Sequence, residues 1–173
     1  MAPKTKVPEA SAKTSEQAFS EARELLAKGD YMAADRLIGQ LISANNESAE
    51  VRVLKGDLLF AQGRNEEATE SYRFALHLDL NCGDAYIGLG KALFKERKYE
   101  AAADSFLLGC KHSPTAPRES LFLLVDAHIM NNNAEGAKSA AKFADADPDF
   151  ALPQRHALLK QQGLNPPNVE GCA

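Results

Sequence analysis

Cysteine is scarce in this chain: Cys82, Cys110 and Cys172 are odd in number, widely spaced and without a Cys-x-x-Cys pair. That spacing argues against a disulfide framework and against a zinc finger, and a reducing, cytoplasmic setting is expected, with a nuclear or organellar address left open. Excess positive charge is also lacking. The formal net charge is −4, whereas nucleic-acid binding calls for a basic stripe, so no nucleic-acid partner is expected. The longest apolar run, Leu121–Val125, falls far short of the roughly 18 residues a membrane helix needs, so no membrane insertion is expected. The N-terminus carries no apolar stretch of the secretory kind.

Reactive constellations are missing as well. His77, His112, His128 and His156 never stand at i, i+4 with another ligand type, so no metal site and no cofactor is expected. There is no phosphate loop, no dinucleotide fingerprint and no Gly-x-Ser-x-Gly elbow. Cys110, late in a helical stretch, reads as a small buried thiol. The chain is not expected to be an enzyme. No glycine-serine linker or charge block divides it, so one domain is expected.

What the chain does have is a repeat. Ala49–Cys82 set above Gly83–Ala116 falls into step without a gap: Gly56 over Gly90, Leu59 over Leu93, Phe60 over Phe94, Ala68 over Ala102, Tyr72 over Phe106 and Leu76 over Cys110. A fixed period of 34 residues signals stacked units, each unable to bury its own apolar face. The same period stepped backwards brings Ala22, Leu25, Gly29, Tyr31, Ala34 and Ile38 into register. Stepped forwards, it covers 117–150. Turn-forming residues stand mid-unit at Gly29-Asp30, Gly63-Arg64, Arg97-Lys98 and Asn131-Asn132-Asn133, so each unit reads as two short helices joined by a tight turn. Gly56 and Gly90, lacking a Cβ, admit the second helix of their unit; Tyr72 and Phe106 fill the space between units.

The third unit, with Leu89, Gly90, Leu93, Ala102, Phe106 and Pro114, resembles the tetratricopeptide repeat. The second unit has Leu80 where Pro is usual and the first has Ala22 for Gly. In the fourth, Leu124 or Val125 replaces the Gly, and Ala137 fits only if the turn slips by one residue. The resemblance spans about four-fifths of the chain. It implies an all-α fold, a right-handed α-solenoid of about four helix-turn-helix units, 15–48, 49–82, 83–116 and 117–150, within a domain 14–163. A capping helix is expected at about 151–162, capped by Asp149, with Pro153 in its first turn, Leu152, Leu158 and Leu159 covering the fourth unit, and Gln154, Arg155, Lys160 and Gln161 facing water. Residues 1–13 and 164–173 read as disordered tails.

In that family the stripe at positions 5, 9 and 12 of each first helix lines the concave face. Position 5 holds Phe19, Val53, Ile87 and Leu121 or Phe122; position 12 holds Leu26, Phe60, Phe94 and His128 or Ile129. Position 9 holds Arg23, Asp57, Lys91 and, with the fourth unit shifted by one, Asp126. Two apolar rows therefore flank a central row of charges. The charges either pair across adjacent helices, at roughly 0–1 kcal/mol for exposed pairs, or they form polar rungs in an apolar trough holding a partner's segment.

The resemblance implies a non-catalytic adaptor or scaffold binding a partner peptide or helix. Co-chaperones of the family clamp terminal carboxylates with basic and Asn side chains. The matching positions here are Phe19, Arg23, Leu54, Asp84 and Gly88, or one unit on Val53, Asp57, Gly88, Arg118 and Phe122. Only Arg23 suits a carboxylate in the first set and the second is no better, so that clamp is not expected. The short array, small cap and apolar groove are also similar to bacterial type III secretion chaperones for translocator proteins. A self-assembling homo-oligomeric scaffold is the third expectation.

Overall fold

The computed structural model of the chain describes residues 15–44, 48–113, 118–144 and 148–167. Among them it consists of helices joined by short connections: α1 (Ser15–Lys28), α2 (Tyr31–Ser43), α3 (Ala49–Ala61), α4 (Asn65–Leu78), α5 (Gly83–Lys95), α6 (Tyr99–His112), α7 (Arg118–Met130), α8 (Ala134–Phe143) and α9 (Pro148–Gln161). Thr14, whose spacing to Gln17 suits a helix start, and Asn45-Asn46, which close the first unit in the sequence, lie outside the described residues, as do residues 1–13, 114–117 and 168–173.

Each first helix ends in the same turn. Gly63 N–H donates to the Phe60 carbonyl at 2.9 Å and Arg64 N–H to that of Leu59 at 2.9 Å. The pair recurs at Gly29 and Asp30, at Arg97 and Lys98, and at Asn132 and Asn133. The turn needs a left-handed residue. Gly29, Gly63, Arg97 and Asn132 supply it, with φ 78°, 78°, 62° and 54°. Asp30 and Asn133 then cap the second helices, accepting from the amides of Ala33 at 3.1 Å and Gly136 at 2.8 Å.

These turns settle the register of the fourth unit. Gly29, Gly63 and Arg97 are 34 apart and Asn132 follows one residue late. The extra residue lies between His112 and Arg118, where the connection is one longer than that between Leu78 and Gly83. Val125 therefore stands where Gly90 does, Ile129 where Phe94 does, and Ala137 where Ala102 does. Position 2 of the unit is Glu119 and position 6 is Leu123, correcting the Arg118 and Phe122 of the unshifted frame.

α9 ends in this turn too: Leu164 N–H donates to Leu159 O at 3.1 Å and Gly163 has φ 76°. It thus ends as the first helices of the units do. It starts at Pro148, whose fixed φ suits a first helical position, so Asp149 lies inside the helix and Pro153 falls beyond its first turn. The chain beyond it is not loose throughout. Leu164 packs on the main core, Pro166 is buried, and the Pro167 carbonyl lies 3.1 Å from His156 Nε2.

Glycine governs how closely the helices approach. The Tyr72 ring of α4 wedges between α3 and α5, where a Cβ on Gly56 would sit 2.5 Å from it and one on Gly88 2.3 Å. Phe106 meets Gly90 in the same way at 2.6 Å. The main core runs from Ala49 to Leu159, and two smaller clusters join α1 and α2 to α3. Every odd-numbered helix touches the next odd-numbered one, whereas among the described residues no even-numbered helix packs on the next even one. The stack is tight along the first helices and splayed along the second, so the first helices form its inner wall.

Candidate functional site

The inner wall carries a pocket of about 210 Å³. Arg23 of α1 closes one side, and Val53 and Asp57 of α3 and Ile87, Gly88 and Lys91 of α5 form the middle. Asp84 of α5 and Ser120 and Leu123 of α7 complete it. One carboxylate is anchored from behind. The Tyr72 hydroxyl, carried between α3 and α5 by the two glycines, donates to Asp57 Oδ1 at 2.7 Å.

Crowding by protein pushes the Asp57 carboxyl above its ordinary range, while the Tyr72 hydrogen bond and the charges of Lys91 and Arg23 pull it back. Asp57 keeps solvent contact, which holds the effect down. Burial and the Asp57 charge push the Tyr72 phenol far above its ordinary range, so it stays a donor. Arg23 reaches across α3 to Asp84 at 3.6 Å, with the two side chains 57% and 60% exposed, and lies 5.1 Å over the Phe19 ring. An ion pair so open to water contributes little stability. Lys91 has no ion pair within 4 Å among the described residues.

The apolar rows are unevenly open. Phe19, Leu26, Phe60 and Phe94 are half-buried, with Phe94 edge-on to Tyr99 at 5.2 Å. Val53 and Ile87 are only 5% and 7% exposed and contribute to the pocket floor rather than to an open row. Ile87 is tucked beneath Gly109 of α6, where an added Cβ would sit 2.7 Å from its side chain. Ile129, which the register puts at position 12, is fully buried. His128 precedes it and burial lowers its imidazole from the ordinary value.

Asp126 is not an open rung. It is 4% exposed and filled by Arg155 of α9, whose Nε donates to Oδ1 at 2.8 Å and whose Nη2 donates to Oδ2. The same guanidinium lies 5.4 Å over the Phe122 ring. Arg155 therefore does not simply face water, as the sequence implied. Burial pushes the Asp126 carboxyl up even beside the arginine, and the contact holds Arg155 above its own ordinary value. Since an arginine does not shed its proton, the cost of burial falls on the aspartate. Leu159 is buried as expected of the cap, but Leu158 is exposed; the Leu152 side chain lies outside the described residues.

Sequence reasoning missed Tyr72 and Arg155 at this face, and met Asp84 and Gly88 only as clamp positions. The hydroxyl that distinguishes Tyr72 from Phe106 was the available signal for the first. Burial raises the Cys82 and Cys110 thiols above their ordinary values, which keeps them protonated and poor nucleophiles. Among the described residues no cluster of three or more His, Cys, Asp or Glu could hold a metal ion, and no helix is long and apolar enough to cross a membrane.

The tetratricopeptide-repeat pattern matches residues 19–73 and 53–117. A small glutamine-rich tetratricopeptide repeat-containing protein 2 from Mycosarcoma maydis is 28% identical over 140 residues, 76% of this chain and 38% of the relative. The chain thus spans under two-fifths of that relative. Among solved structures, a MamA double mutant (RS-1 ArsTM) is similar with TM-score 0.68 at 19% identity, over 87% of this chain and 88% of the other. YrrB, described as a TPR protein with an unusual peptide-binding site, is similar with TM-score 0.63 at 19% identity, over 86% of this chain and 75% of the other. Identities this low speak to the fold alone.

Proposed function

This chain belongs to the tetratricopeptide-repeat family, and from that premise we propose that it is a non-catalytic adaptor whose inner wall holds a segment of a partner protein. The observation that carries the reading is the pairing of half-buried Phe60 and Phe94 with a charged pocket on the same row of first helices. Partly solvated aromatics gain by further burial, at about 25 cal/mol per Å² of apolar surface covered. Charged rungs beside them give register and exclude wrong sequences. The peptide-binding description of YrrB supports the same use of the fold.

Replacing Phe60→Glu together with Phe94→Glu tests this. Circular dichroism should show helicity retained, since both side chains reach solvent, and capture of the partner from native lysate should be lost. Capture at the wild-type level by a folded double variant would remove the inner wall from the reading.

A self-assembling scaffold is the second reading, favoured by the exposed Phe74 on α4 and the exposed Leu107 and Leu108 on α6. Phe74 and Leu108 are one period apart, so they repeat along the outer helices. Light scattering across concentration separates the two readings, and a strict monomer removes the second.

A further inference from the structure

The protein holds one filled example of how a carboxylate on its inner wall is satisfied. At the fourth unit Asp126 and Phe122, at positions 9 and 5, receive Arg155 from α9: two hydrogen bonds to the carboxylate and the guanidinium over the ring. Two units earlier Asp57 stands at position 9. Its Oδ1 accepts the Tyr72 hydroxyl, while its Oδ2 accepts no hydrogen bond among the described residues, and the carboxylate opens onto the pocket of about 210 Å³. We propose that the partner segment anchors a basic side chain on Asp57, as Arg155 does on Asp126; this deepens, and rests on, the adaptor reading above.

Charge balance adds a second element. Arg23 is already engaged by Asp84, but Lys91, on the helix next to Asp57, has no ion pair of its own among the described residues. The Lys91 charge already acts on Asp57, so a basic side chain that takes over that carboxylate leaves Lys91 without a counter-charge. The fitting segment therefore carries an acidic residue facing Lys91, one helix-to-helix distance from the basic one. Packed helices lie about 8–10 Å apart, which is about three residues of extended chain or two turns of a helix.

The test is a selection of random dodecapeptides displayed on phage against the full chain and against Asp57→Asn and Asp57→Lys. Asn keeps an oxygen for Tyr72, so the wall is preserved. Wild-type winners should share a Lys or Arg with an acidic residue at that spacing. A synthetic winner with its basic residue changed to Ala should bind about tenfold more weakly, and the tenfold should vanish on Asp57→Asn. Asp57→Lys should select an acidic residue in that place. Winners without a common basic position overturn the anchor. So do winners insensitive to Asp57→Asn; if these still lose binding to Phe60→Glu with Phe94→Glu, the groove stands and only the anchor falls. Winners indifferent to every variant, or no winners at all, overturn both.

Discussion

Tyr72 and Phe106 occupy the same place in consecutive units, and one hydroxyl separates them. The hydroxyl reaches Asp57 because Gly56 and Gly88 leave the ring a slot with no Cβ on either side. Asp57 stays exposed at its surface, which limits what crowding costs it. Folding raises its carboxyl above the ordinary 3.8, so the folded chain binds that proton more tightly than the unfolded one. The full contribution to stability is present below 3.8 and is given up as pH climbs through the raised value, which leaves the charged form a net burden at neutral pH. Asp57→Asn should therefore have a higher unfolding midpoint than wild type in melts at pH 7, the gap closing as pH falls towards 3.8. A lower midpoint for the variant at pH 7 would mean that Lys91 and Arg23 outweigh the crowding. His128 acts in the opposite sense, its lowered imidazole losing stability as pH falls, but it is common to both proteins and cancels in the difference.

Among the elements, α9 is tied to α7 by a buried ion pair. Arg155→Ala would leave Asp126, 4% exposed, without its counter-charge, and breaking a buried pair from one side costs about 3 kcal/mol or more. Because α9 packs only on α7 and α8 among the described helices, the loss should be local. Amide exchange should speed up across Pro148–Gln161 while α3–α6 keep their protection; unchanged exchange in α9 would show that Leu159 alone holds it. Replacing both partners, Asp126→Leu with Arg155→Leu, should cost far less, since no orphaned charge remains. The sequence pointed to the helix through Pro153 and Leu159, yet it left Arg155 in water. Local periodicity says which face of α9 is apolar. It carries no signal for how α9 crosses α7, and that crossing brings together residues 29 apart.

For the whole molecule, an array whose units touch only their neighbours has a stability close to a sum of unit and interface contributions, so it opens from its ends. The core here is uneven. One cluster runs from Ala49 to Leu159, while α1 and α2 share smaller ones around Ala22, Ala34 and Ile38 and around Ala18, Leu41 and Val51. Native-state exchange should find α1 and α2 opening at lower free energy than α3–α6, and uniform protection across α1–α6 would contradict the neighbour-sum picture. The inner-wall pocket draws on α1, α3, α5 and α7, so fraying of α1 would remove Arg23 from it while leaving Asp57 and Lys91 in place.

The fold was legible in the sequence because it is local. A period of 34, glycines at the close approaches and turn residues at mid-unit all state what a segment does to its immediate neighbours, and such rules repeat. The tertiary structure alone decided the fourth unit's register, since one residue added in a connection shifts a frame without disturbing any pattern inside the helices. It alone also decided which inner-wall groups stay open. Solvent reach depends on what a neighbouring helix lays across a side chain: Gly109 over Ile87, Arg155 over Asp126, and among the described residues no hydrogen-bond donor on the second oxygen of Asp57.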